Sequence, residues 1–180
     1  MNLSRIVILA ILYCACSTSS PVSHLYSFED KTVFELIDKL NKNPADQASA
    51  DLLPQAYKAA ADRRKEINQA TVSGGTTGDR YMQVNQELQV MQEMYNAIKS
   101  SPAASKAVPN PWDPSRALQS TREKAAKEYY TQGVQYLNYN NRQYALKAYE
   151  YFQKADNAYP NYQDVRVLMN EALEKGTLKV

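Results

Sequence analysis

Residues 126–160 read "AKEYYTQGVQYLNYNNRQYALKAYEYFQKADNAYP". Gly133 is flanked one helical turn away by Tyr129 and Tyr136, so a small residue sits between two rings on one helix face. A glycine there lets a second helix approach closely. Further on, Ala148, Phe152 and Ala155 recur at spacings of four and three, the mark of one helix face. The alanines admit a neighbouring helix and Phe152 fills the space between them. "NYNNRQ" makes the turn, and Pro160 ends the second helix. The stretch is an antiparallel helical hairpin whose apolar face needs further helices to cover it.

The hairpin resembles the tetratricopeptide repeat (TPR), a helix–turn–helix of about 34 residues. Tyr129, Gly133 and Tyr136 stand where that repeat carries its first aromatic, its glycine and its second aromatic. Ala148, Phe152, Ala155 and Pro160 fill the positions of its second helix. Two features depart from the pattern: the turn is about three residues longer than usual, and Gln132 replaces an apolar residue. A following helix, "NYQDVRVLMNEAL", would cap the array. A degenerate repeat upstream would use Leu36 and Pro44 to close one hairpin, and Leu52, Ala56 and Tyr57 to begin the next. The resemblance implies an all-α protein of antiparallel hairpins stacked as a short TPR-like α-solenoid, with a concave face that accepts an extended peptide or a partner helix.

The rest of the chain also has helical period, and no useful stretch alternates as a strand would. A helix is expected over residues 28–41, with Phe34, Leu36, Ile37 and Leu40 as its apolar stripe. Another is expected over 46–70, with Leu52, Ala56, Ala59, Ala60 and Ile67 on one side; Pro54 either kinks it or marks a start near Asp51. "TVSGGTTGD", residues 71–79, reads as a glycine-bearing connector, an insertion between helices. It lacks the lysine and preceding strand of a phosphate-binding loop. Residues 79–100 carry a seam of Tyr81, Val84, Leu88, Met91, Tyr95 and Ile98, suited to packing along another helix. Residues 101–113 are rich in proline and read as a linker or ordered loop, with Trp112 pinned against the helices or available as a contact. Asp113 and Pro114 signal a helix start. Helices are expected over 114–137, 142–158 and 161–175, with Gly176 as the final stop and 177–180 as a short tail.

The N-terminus has its own logic. Arg5 is followed by the apolar run "IVILAIL" and the small pair Ala15–Cys16, the layout of a secretory signal peptide. The run is shorter than the roughly 20 apolar residues of a membrane-spanning helix. This stretch resembles the lipobox of bacterial lipoproteins, loosely and in the manner of Bacteroidetes, with Tyr13 where leucine is preferred. The resemblance implies that residues 1–15 are removed and Cys16 is acylated, anchoring the protein in a membrane. "STSSPVSHLY" then reads as a flexible leash over residues 16–27. By the same resemblance, Ser17 and the lack of an acidic tract after Cys16 imply the periplasmic face of the outer membrane.

Composition narrows the function. The net charge of +2 is spread without blocks, which argues against a nucleic-acid partner. His24 is the only histidine, and Cys14 and Cys16 the only cysteines. Catalytic and metal-binding arrangements need more than this, and the pair Glu35 and Asp38 reads as solvated surface. No enzyme activity, metal or cofactor is expected beyond a covalent lipid on Cys16. The chain holds 14 tyrosines against 3 phenylalanines. Tyr139, Tyr144, Tyr151 and Tyr162 fill no slot that the repeat requires, and tyrosine is favoured at contact surfaces. Tyr139, Tyr144, Tyr151 and Trp112 are therefore the contact candidates. The expected role is a non-catalytic adaptor holding another envelope protein or peptide segment; the alternative is a protein that binds cell-wall glycan. Oligomeric state is left open.

Overall fold

A computed structural model describes residues 20–75 and 77–177. The expected signal peptide, Cys16 and its lipid, the start of the leash and residues 178–180 of the tail lie outside the described residues. After a short 3-10 turn at Ser23–Leu25, the helices are α1 (Phe28–Lys42), α2 (Gln47–Ser73), α3 (Gly78–Ser100), α4 (Pro102–Ala107), α5 (Ser115–Leu137), α6 (Arg142–Ala158) and α7 (Val165–Thr177). The protein is all-α, with no strand among the described residues. Long helices pack mainly on their neighbours in chain order, α1 on α2, α2 on α3, α3 on α5, α5 on α6 and α6 on α7. That serial stacking is compatible with a helical-repeat solenoid.

Local sequence explains most boundaries. Ser27 caps α1 through a reciprocal box: its hydroxyl accepts from the Asp30 N–H at 3.2 Å, and the Asp30 carboxylate accepts from the Ser27 N–H at 2.6 Å. Asp46 caps α2, so that helix begins before Pro54 and runs through it. Asp113 accepts from both the N–H and the hydroxyl of Ser115, placing the start of α5 where Asp113–Pro114 predicts it.

Two buried clusters form the interior. The first joins Val33, Leu36, Ile37 and Leu40 of α1, Leu53 and Ala60 of α2, Val90, Met91, Met94 and Ile98 of α3, and Ala104 and Val108. The second joins Ala125, Ala126, Tyr129 and Leu137 of α5 to Ala148, Phe152, Ala155 and Ala158 of α6 and Val165 and Ala172 of α7. Helix α3 stands between them. On its other side Asn85 is buried, and its amide donates to Leu118 O at 2.9 Å and Thr121 Oγ1 at 2.8 Å on α5.

Several expectations need correction. Residues 20–27, read as leash, are packed. Val22 is buried in the first cluster, Tyr26 stacks on Phe34 at 4.8 Å, and the hydroxyls of Ser20 and Tyr26 both donate to the Glu93 carboxylate. The serines suggested a leash, but Val22, Leu25 and Tyr26 supply enough apolar surface to hold the segment down. The expected linker at 101–113 contains α4, capped by Ser101 and packed through Ala104 and Val108. In α2 the buried stripe is Ser49, Leu53, Ala60 and Arg64, with Leu52 and Ala59 exposed. Adjacent residues differ by about 100° around a helix, so choosing Leu52 over Leu53 turned the predicted face.

Arg64 lies on the buried face of α2 although it is charged, and is only 2% exposed. It donates to Asp30 of α1 and Glu87 of α3, and at 2.8 Å to the Leu25 carbonyl. Burial by itself lowers an arginine's proton affinity; the hydrogen bonds and charges of Asp30 and Glu87 outweigh it and hold the guanidinium protonated. One side chain thus ties three helices and the N-terminal segment together. At the other end, α7 starts at Val165 rather than 161, because Asn161 and Gln163 adopt φ of 60° and 50° in a turn. Gly176 does not stop that helix; it lies buried inside its last turn. An added Cβ there would meet Leu146 Cδ2 at 2.6 Å, so the glycine serves close packing against α6.

Candidate functional site

The α5–α6 hairpin has the contact its sequence calls for. A Cβ on Gly133 would lie 2.6 Å from the Phe152 ring, and Phe152 is fully buried. Pro160 follows the last turn of α6, which ends with the Tyr159 N–H donating to Ala155 O. Tyr129 is buried, and its hydroxyl donates to Asp79 Oδ1 at 2.6 Å. Its ring covers Gly78, where a Cβ would sit 2.4 Å away. Tyr129 therefore does more than fill a repeat position, since it joins α5 to the first turn of α3.

From Tyr129 a row of rings runs along the hairpin. Tyr129 lies 6.5 Å from Tyr151, Tyr151 stacks on Tyr136 at 5.3 Å, Tyr136 on Tyr144 at 5.9 Å, and Tyr144 meets Tyr139 at 4.8 Å. Two ammonium groups lie over this row. Lys154 Nζ is 5.4 Å and 5.6 Å from the Tyr129 and Tyr151 centroids, and Lys147 Nζ is 5.7 Å and 5.8 Å from those of Tyr136 and Tyr144. These are cation–π distances. The spacing that builds the ladder is Tyr144, Lys147, Tyr151 and Lys154 on one face of α6, answered by Tyr129 and Tyr136 two turns apart on α5. The lysines escaped the sequence reading, although the three-and-four spacing carried the signal.

Burial is graded along the ladder. Tyr129 is inside, Tyr136 and Tyr151 are half-buried, and Tyr144 and Tyr139 are 39% and 65% exposed. The inner end is structural and the outer end presents ring faces to solvent. A hollow of about 170 Å³ lies between Tyr136, Tyr151, Lys147, Lys154 and Glu150. Asp79 completes the inner end: the Tyr129 hydrogen bond, then the nearby Lys154, hold its carboxyl below the usual range. Burial and the bond to Asp79 push the Tyr129 phenol up.

The other candidates fall elsewhere. Tyr162 meets Tyr130 edge-on at 5.8 Å, and Tyr130 donates to Asp164 Oδ1 at 2.6 Å, so this pair closes the α6–α7 corner. Trp112 does not join the ladder. Its backbone N–H donates to the Tyr57 hydroxyl at 2.9 Å, but half of its side chain is exposed, bordering a cleft between α2 and α3. Glu35 and Asp38 are both exposed. Among the described residues no three histidine, cysteine or acidic side chains converge as a metal site, and no helix is long and apolar enough to cross a membrane.

No protein-family description, curated protein or solved structure matches the chain.

Proposed function

We propose that this chain is a non-catalytic adaptor of TPR type, anchored through a lipid on Cys16 to the periplasmic face of a bacterial outer membrane. It holds an envelope protein or peptide segment against the outer end of the tyrosine ladder. The observation that carries the reading is the exposure of Tyr139 and Tyr144 beside Lys147, rings that neither buried cluster requires. Tyrosines with an apolar body and a polar tip are suited to contact surfaces. The anchor rests on the "YCAC" stretch.

The test compares wild type, Tyr139→Ala/Tyr144→Ala and Cys16→Ala by cross-linking and pull-down from solubilised envelopes. A partner recovered near stoichiometry by wild type and lost by the tyrosine variant supports the ladder as the contact. Palmitate labelling that disappears in Cys16→Ala supports the anchor. Co-sedimentation with isolated peptidoglycan that depends on Tyr139 and Tyr144, without a protein partner, would instead support the glycan-binding reading.

A further inference from the structure

The cleft beside Trp112 encloses about 390 Å³, within the roughly 300–1,000 Å³ range of small-molecule sites. Its walls are Val72 of α2, Val84, Leu88 and Met91 of α3, and the Trp112 ring. Val84, Leu88 and Met91 belong to the seam expected to pack along a second helix; all three are buried, and they form the apolar floor of the cleft. On the α2 wall, Asn68 Oδ1 is buried without a hydrogen-bond partner among the described residues, so one polar acceptor beside the cleft receives no donor from the protein.

The charges around the cleft are unequal. Arg64 borders it, but its guanidinium is held by Asp30 and Glu87. Asp62 pairs with Lys58 one turn back. Lys65 makes no ion pair among the described residues, leaving one uncompensated cation at the edge of an apolar space. At about 30 Å³ per methylene, close to the share of one water molecule, the space holds roughly a dozen carbons.

We propose that this cleft binds a single-chain alkyl carboxylate, with its chain between Trp112 and the α3 side chains and its carboxylate at Lys65. This site is separate from the tyrosine ladder and does not depend on the adaptor reading.

Trp112 is the only tryptophan, so its emission reports the cleft directly. The experiment titrates the full chain, kept soluble by an amphipathic polymer instead of a chain detergent, with straight-chain carboxylates of about six to fourteen carbons. Affinity should rise about fourfold per methylene and level off at roughly a dozen carbons. The 1-alkanol of equal length should bind up to about fivefold more weakly. Lys65→Gln should abolish that preference while keeping the chain-length dependence. Val84→Phe, with its helical circular dichroism intact, should lose the response by filling the cleft. The proposal is overturned by an emission spectrum insensitive to the carboxylates, or by affinity that climbs past the capacity of the cleft. It is equally overturned if alkanols bind as tightly as acids, if the acid preference survives in Lys65→Gln, or if folded Val84→Phe still responds.

Discussion

Replacing Gly133 with alanine should destabilise the protein by about 2 kcal/mol, although alanine is the better helix former. The new methyl would stand 2.6 Å, 2.7 Å and 3.0 Å from three Phe152 ring carbons, where carbon atoms rest at about 3.5–4.0 Å. The ring has nowhere to turn, because Phe152 is fully buried with Tyr130 tilted against it at 5.9 Å. Either α5 and α6 part or the ring leaves its rotamer. Such overpacking costs up to about 3 kcal/mol, and the propensity gain over glycine returns about 1 kcal/mol. With a urea m-value of about 2 kcal/mol/M, the unfolding midpoint should fall by about 1 M, and Tm by about 4–8 °C. The obstacle is named by a second variant. If the ring is what resists, Phe152→Leu should cost at least about 1 kcal/mol less in the Gly133→Ala background than in wild type. An unchanged or raised midpoint for Gly133→Ala, or strict additivity of the two substitutions, would refute the reasoning.

Gly176→Ala should behave differently, within about 1 kcal/mol of wild type by urea unfolding, because the side chain it meets, Leu146, is 40% exposed and its tip can turn outward. Arg64→Met should cost about 3–5 kcal/mol, since it strands Asp30 and Glu87 without their cation. The same variant should expose the chain near Leu25 and Tyr26 to chymotrypsin under native conditions; resistance equal to wild type would show that Arg64 does not hold that segment. Alkaline pH should also weaken the fold. Burial and then the Glu93 bond hold Tyr26 at about 12, and the Asp164 bond and then burial hold Tyr130 at about 12. An unfolded tyrosine ionises near about 10, so through this window the unfolded chain releases protons that the folded chain keeps. The stabilisation is complete below about pH 10 and declines as pH rises toward 12. Urea midpoints across that range, read beside phenolate absorbance, check it.

Much of the architecture was legible because it depends on neighbours three and four residues apart. The α6 boundaries, the start of α5 at Asp113–Pro114 and the setting of Gly133 between Tyr129 and Tyr136 on one helix face all follow from local sequence. The candidate site was half legible. Tyr139, Tyr144 and Tyr151 stood out as tyrosines with no repeat position to fill, yet their union with Tyr129, Tyr136 and two lysines in one row required the two helices to be side by side. The neighbours of Trp112 were not legible, because a proline-rich stretch carries no periodicity from which to read a face.

What the sequence determined by itself is an all-helical chain with a tight hairpin near its C-terminus, since helix period, caps and a small residue set between two aromatics on one helix face are local properties. Tertiary structure alone decided that Arg64 would be interior, that Gly78 would lie beneath Tyr129 and that residues 20–27 would be packed and not free. Each of those depends on a partner far along the chain: Asp30 and Glu87 for Arg64, Asp79 for Tyr129, Glu93 for Ser20 and Tyr26. A charge or a glycine reveals its role only when that partner is within a few ångströms, because hydrogen bonds and steric contacts act over that distance alone.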